Sequence, residues 1–465
     1  MSLRRHILRG GAYLAGREVA GMVVRLGGVL ALTRLLGPSE FGLYAGPAAL
    51  ATFLGLVAQW GTEVFLIRRE EEPSERLYDE TFTFLVATTT VVTLGALAIS
   101  YAIEWIAGPS RFLDPFRVLL LAVPLNALWA PAQARIERAF RFREMAVLEL
   151  GGDLVLYAAS VGLVLAGAGL WGAVAGYVAW QLFLLLASYR YARILPRLRV
   201  SEDRMRELWR FGFTYSAADW LQRGKEVVNP LVVGPLLGPA AVGHVALALR
   251  LAETLSFVTR ATWRVSVAAL GRIQSDARRL RRALEEGMTL QLLASGTVFA
   301  AFALVAQWAV PAVFGEQWAG ALDVFPFLAA AYVLTAAFSL HTSLLYVMQR
   351  NERVAAVNAA RLLTLVTLCA SLAPLVGIQA FGVALLVSQV GCILLDREVR
   401  AVLDYRFRRA VPWLMAFLPP VFVPFAGLPE GLLLWLPAAL VCMAPLPRTT
   451  LAGYARVARG AVLRA

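Results

Sequence analysis

The sequence predicts an all-α polytopic membrane protein of about fourteen transmembrane helices, arranged as two six-helix lobes followed by a C-terminal helix pair. Three observations predict it. The 465 residues are 59% hydrophobic and only 16% charged, with a mean hydropathy of +0.66, outside the range of ordinary soluble domains. Apolar stretches of roughly 18 to 25 residues recur along the whole chain, each long enough to cross a hydrocarbon core of about 30 Å at 1.5 Å per residue. Arginines crowd every second connection between those stretches.

Apolar runs bounded by charge or by Gly and Pro place six helices at about 12–36, 43–67, 81–106, 115–137, 147–167 and 171–192. Six more follow at about 211–236, 243–268, 285–310, 321–347, 354–374 and 380–401, then a shorter pair at 412–426 and 431–447. The expected organisation is therefore a first lobe over 1–200, a second over 201–405, and a helix pair with a cytoplasmic tail over 406–465. The N-terminal segment has basic residues but no short apolar core followed by a small-residue cleavage site, so the first helix is expected to remain as an anchor.

Orientation follows from the arginines. Arg135, Arg138, Arg141 and Arg143 share one connection, Arg190 through Arg210 the next, and Arg264 through Arg282 another. Segments 37–42, 168–170, 237–242 and 375–379 contain neither Arg nor Lys, and 107–114 holds only Arg111. The positive-inside rule then places both termini in the cytoplasm. It also accounts for the net charge of +13, because no basic domain interleaved with aromatics is present to hold a nucleic acid. The poorly charged connections are short. The longest, about 310–321, reads as a helix end and a turn, leaving no external domain for catalysis. No Gly-rich phosphate loop is present either. Cys369, Cys392 and Cys442 lie in apolar spans without metal-ligand spacing and read as small packing residues. No metal and no cofactor are expected.

The chain repeats itself. LLGPSEFGLY at 35–44 matches LLGPAAVGHV at 236–245, and LWGAVAGYV at 170–178 more weakly matches AFGVALLVS at 380–388. In the first match Gly tolerates positive φ and Pro cannot continue a helix, so each copy ends one helix, while Gly42 and Gly243 permit a tight re-entry. Gly-Pro turns are common between membrane helices, but two matches in the same order argue for duplication. An even number of helices separates the copies, which relates them by an axis along the membrane normal and puts a substrate between the lobes.

Charges within apolar helices cost about 2.5 to 3.5 kcal/mol each on insertion scales and mark cavities or ion pairs. The seventh helix carries most: Asp219, Arg223, Glu226 and Asn229 share one face by their spacing, Lys225 projects to another, and Pro230, Gly234 and Pro235 interrupt the helix. Asp219, Arg223 and Glu226 also suit a local structural lock. Lys225 is the sole lysine and a fitting phosphate partner. Arg25 sits at the repeat-equivalent position of Glu226, which suggests a gate pair between lobes. Arg250 and Glu253 are spaced as a local pair, Arg361 and Glu63 could snorkel, and His341 reads as a packed, hydrogen-bonded side chain more readily than as a proton relay. Arg25, Arg223, Lys225, Arg250 and Arg361 thus form the candidate set for an anionic headgroup such as a diphosphate. Glu63, Asp219, Glu226 and Glu253 form the set for ion coupling or gating.

The runs LLGPSEFGLY, LLGPAAVGHVALALRLAE and VFGEQWAGALDVFPFLAAA resemble the polysaccharide biosynthesis and O-antigen flippases of the multidrug, oligosaccharidyl-lipid and polysaccharide exporter superfamily. The resemblance spans the chain, and its motifs are structural turns rather than a catalytic signature. It implies a non-enzymatic carrier of undecaprenyl-diphosphate-linked glycan across a bacterial or archaeal plasma (inner) membrane, with membrane lipids and the polysaccharide polymerase machinery as further partners and no nucleic acid. Asn229-Pro230 stands where many relatives have an acidic residue followed by Arg, which puts an inherited role there in doubt. Three alternatives stay open: a lipid II flippase, a cation-coupled drug exporter, for which the cavity is too basic, and a membrane glycosyltransferase or polymerase, for which a long external loop is missing.

Overall fold

Helix is the regular structure throughout the described residues, and ten of those helices are long and apolar enough to cross a membrane. The structure, a computed structural model, describes residues 3–274, 276–427 and 429–443. The expected end of the fourteenth helix, 444–447, and the tail beyond it lie outside the described residues.

The difference between ten and about fourteen has local causes. The first two expected helices are one run, Leu3–Gln59, bent at Gly37 with φ 70° and ψ 172°. Glycine alone adopts that conformation without strain, and Pro38 restarts the helix at once, so the bend consumes no loop. The expected helix 211–236 is four pieces: Glu202–Arg223, Lys225–Val228, a π-turn at Asn229–Val233, and Gly234–Leu237. Gly224, Pro230 and Pro235 interrupt its hydrogen-bond ladder. The expected eighth helix is divided at Ser256 into Pro239–Leu255 and Phe257–Ile273, each 17 residues. In the C-terminal pair, Phe407–Ala426 is long enough to span, whereas Glu430–Met443 is shorter.

The duplication recurs in the backbone, both within the matched runs and beyond them. Gly37 is repeated by Gly238 (φ 85°, ψ 176°). Gly108 (φ 85°, ψ 175°) is repeated by Gly315 (φ 110°, ψ 154°), and Gly169 (φ 51°, ψ −134°) by Gly377 (φ 61°, ψ −138°). Phe140 and Gln349, both non-glycine residues at positive φ, close the same Schellman-type turn. The Phe140 and Arg141 amides donate to the Glu137 and Ile136 carbonyls, as those of Gln349 and Arg350 do to Tyr346 and Leu345.

An ionic clasp is duplicated as well. Glu80, buried near the start of the Glu75–Ala107 helix, pairs with Arg76 one turn before it (2.9 Å) and with Arg204 (3.5 Å). Glu285, buried near the start of Ala277–Phe314, pairs with Arg281 one turn before it (3.1 Å) and with Arg409 (2.7 Å). All three members of the second clasp are shifted by the same 205 positions from the first. In each case a carboxylate at a helix start holds the chain segment that follows the sixth helix of its repeat.

Contacts divide the chain into two compact units, Met1–Ala246 and Leu247–Ala465. The first has a core at its arginine-rich end, where Phe65, Leu66, Tyr78, Phe84, Ile136, Leu148 and Leu208 pack together. The second is built round Phe325–Val347, whose side chains Phe325, Leu328, Val333 and Leu344 are fully enclosed.

Candidate functional site

Arg25 lies in the first membrane-spanning segment, and its Nη1 donates to Asp153 Oδ2 at 2.8 Å. Asp153 follows Glu149 by one turn on Phe142–Leu163, a helix that packs against the first. Gly28 lets that helix come close, since a methyl group there would overlap the Tyr157 ring. The i, i+4 pair of acids inside an apolar run is the sequence signal that would have found Asp153.

At the arginine-rich end of the first unit the helix breaks at Trp60 and Gly61, and Glu63 follows. The Gln133 Nε2 donates to Glu63 Oε1 and to Glu137 Oε1, each at 3.0 Å, so one amide holds two carboxylates. Arg223 interacts electrostatically with Glu63 and pairs with Asp219 at 3.3 Å, so three of the expected site residues meet here. Trp60 stacks on Trp209 with centroids 4.4 Å apart and donates its Nε1 proton to the Trp209 carbonyl. Lys225 and Glu226 are exposed, and Gly224 interrupts the polar stripe expected along this helix.

Asn229 is buried, and its Nδ2 donates to the Val242 carbonyl at 3.1 Å. That bond ties the π-turn to the next helix and gives the residue a structural job. Close by, the two copies of the repeated turn face each other reciprocally. A methyl group on Gly42 would overlap the Pro239 carbonyl oxygen, and one on Gly243 would overlap the Pro38 carbonyl oxygen. Gly42 and Gly243 therefore do not serve a turn, as the sequence suggested; they sit within helices and allow two backbones to touch.

In the second unit Arg250 and Glu253 form the expected local pair at 3.4 Å. Arg361, within Asn351–Val376, donates from Nη2 to Gln389 Oε1, which also accepts from Thr335 Oγ1 at 3.1 Å. His341 is fully buried, and its Nε2 and the Tyr405 hydroxyl are 2.6 Å apart. Tyr405 in turn donates to Asp396, which pairs with Arg400 at 2.8 Å. This is the packed, hydrogen-bonded histidine.

The model of the family described as polysaccharide biosynthesis protein matches residues 31–323, more than half of the chain. The chain belongs to that family. The succinoglycan biosynthesis transport protein ExoT of Rhizobium meliloti (strain 1021) is 28% identical over 308 residues, which cover 64% of this chain and 60% of ExoT's length. Among solved structures, the lipid II flippase MurJ in an inward closed conformation superposes with a TM-score of 0.70 at 11% identity, covering 97% of this chain and 99% of that one. An inward-facing multidrug resistance MATE family transporter superposes with a TM-score of 0.61 at 14% identity, covering 82% and 98%. These likenesses establish the fold of a family member that is a multi-pass membrane protein.

Proposed function

We propose that the chain is a flippase that moves undecaprenyl-diphosphate-linked oligosaccharide from the cytoplasmic to the outer leaflet for cell-surface polysaccharide. The observation that carries this reading is a duplicated transporter fold with a guanidinium at membrane depth in each repeat, Arg25 and Arg361. A diphosphate headgroup is the cargo that such cations suit. The relative ExoT, named for succinoglycan biosynthesis transport, supports the same class of cargo.

In this mechanism the lobes are residues 1–200 and 201–405, with 406–465 as an accessory pair, and they rock about a central site. Arg25, Arg223, Lys225, Arg250 and Arg361 contact the headgroup along its path. Glu63, Asp219, Glu226 and Glu253 exchange partners or an ion as the lobes move. The reciprocal contact of Gly42 with Pro239 and of Gly243 with Pro38 seals the outer end, because each lies beside a connection poor in basic residues. Both termini are cytoplasmic. Lipid-linked glycan, bilayer lipid and the polymerase machinery are the partners.

The test is loss of the gene product in the native cell. The reading expects lipid-linked oligosaccharide to accumulate where only a cytoplasmic-side glycosidase reaches it, with surface polysaccharide lost. Normal surface polysaccharide together with increased sensitivity to cationic drugs would favour an exporter instead.

A further inference from the structure

We infer that the connection 193–200 of the first unit is a binding surface for anionic phospholipid, a role independent of the cargo. The segment reads RILPRLRV and joins the Leu170–Ala192 and Glu202–Arg223 helices without regular structure. Its apolar side chains Leu195, Leu198 and Val200 are 88%, 70% and 74% exposed. Arg193 and Arg197 are exposed as well, and among the described residues neither guanidinium has an ion-pair partner. Large apolar groups held out in this way mark a surface that meets something other than water. Interleaved with arginine they suit a membrane boundary, where the apolar groups sink and the guanidinium groups meet phosphate.

The segment is pinned against a spanning helix. Ile194 is buried in the core that holds Tyr78 and Leu208. The Arg197 amide donates to Asp79 Oδ1 at 3.0 Å and the Arg199 amide to Thr83 Oγ1 at 2.8 Å, while Arg199 Nε pairs with Asp79 Oδ2 at 3.3 Å. Asp79 and Thr83 belong to the first turns of Glu75–Ala107, and Thr83 lies about 12 Å along the axis from its start. The other neighbouring span, Leu170–Ala192, ends one residue before the segment. The connection therefore runs along the membrane boundary instead of looping away from it.

The repeat shows that the fold does not demand this exposure. The equivalent residues of the second unit, 398–405 by the shift of 205 that relates the two clasps, read EVRAVLDY. They bury Val399, Leu403 and Tyr405 and leave Val402 exposed. Glu398 and Asp404 stand where the first copy has Arg193 and Arg199, so three arginines are answered by one arginine and two acids. Apolar exposure and positive charge thus occur together in one copy and are both absent from the other. Anionic lipid is favoured over a protein as the occupant, because the segment lies at the boundary and its unpaired guanidinium groups oppose the charge of a lipid phosphate.

The test attaches a bimane fluorophore at Leu198→Cys in a chain whose own three cysteines are replaced, with Val402→Cys as the control from the other copy. Proteoliposomes hold phosphatidylcholine and phosphatidylglycerol, one or the other brominated in its acyl chains. The expected result at Leu198→Cys is strong quenching by brominated lipid, weak quenching by acrylamide, and a preference for phosphatidylglycerol of about fivefold or more. That preference should fall towards unity in about 0.5 M salt, and below about twofold in a variant that adds Arg193→Gln and Arg197→Gln. At Val402→Cys no preference is expected. Neither arginine side chain has an ion pair to lose, so the double substitution should melt as its parent does.

Equal quenching by the two lipids at Leu198→Cys, or a preference that survives both salt and the arginine substitutions, would overturn the inference. So would quenching by acrylamide without quenching by brominated lipid, which would put the segment in water and make a protein its partner. The salt response is read without the arginine variant, so it decides the point even where that variant folds poorly. None of these outcomes touches the flippase reading, which concerns a different site.

Discussion

Glu285 receives donors from three directions: Arg281 of its own helix, the Arg406 backbone amide and the Arg409 side chain. A buried carboxylate so surrounded has its oxygens engaged on all sides, and replacing it by an amide leaves two arginines without that counter-charge. Both arginines are partly exposed, so water screens some of the loss. Glu285→Gln is expected to lower stability in detergent by about 1 to 3 kcal/mol, and Glu80→Gln by a similar amount, measured as the fall in melting temperature. Unchanged melting in both would remove the clasps from the account. Arg25 and Asp153 form a pair that can be tested in the same way. Removing Arg25 alone strands a carboxylate at membrane depth, so Arg25→Ala should cost about 2 kcal/mol, and adding Asp153→Asn should recover part of it. Additive losses in the double variant would mean that the pair is not coupled.

At the scale of elements, the glycines separate into two kinds. Gly42 and Gly243 sit where helix backbones touch, whereas Gly95 and Gly162 lie in helices with nothing near the position of a side chain. Alanine at Gly42 or Gly243 must push the helices apart, at about 1 to 3 kcal/mol. Alanine at Gly95 or Gly162 is expected to be neutral or stabilising by up to about 1 kcal/mol, because it only lowers the entropy of the unfolded chain. Melting temperatures of the four variants decide the point, and equal effects at all four would contradict it. The sequence made the Gly37 and Gly238 bends legible, since Leu-Gly-Pro names its own conformation. It did not reveal the role of Gly42 and Gly243, because a helix contact depends on a partner some 200 residues away. The matching turns at Phe140 and Gln349 share only the arginine that closes each, Arg141 and Arg350, so it is mainly backbone geometry that relates them. The partners of Arg25 and Glu285 were hidden for the same reason, lying 128 and 124 residues away in the chain. What could be read locally was read: the Asp219–Arg223 and Arg250–Glu253 pairs are a single helical turn apart.

At the scale of the whole molecule, the arginine distribution predicts the side of the membrane on which each connection lies. Single cysteines introduced at Ser110 and Leu375 of a chain with its own three cysteines replaced should react with an impermeant maleimide added outside intact cells. Cysteines at Phe140 and Gln349 should react only after the cells are opened. The reverse pattern would invert the topology and with it the proposed direction of transport. The central claim concerns cargo, and reconstitution addresses it most directly. Purified protein in proteoliposomes containing a fluorescent undecaprenyl-diphosphate oligosaccharide is expected to make label on one leaflet accessible to a quencher on the other, while empty vesicles do not. Absence of flipping across several glycans by well-folded protein, with accumulation of a cationic drug instead, would contradict the account.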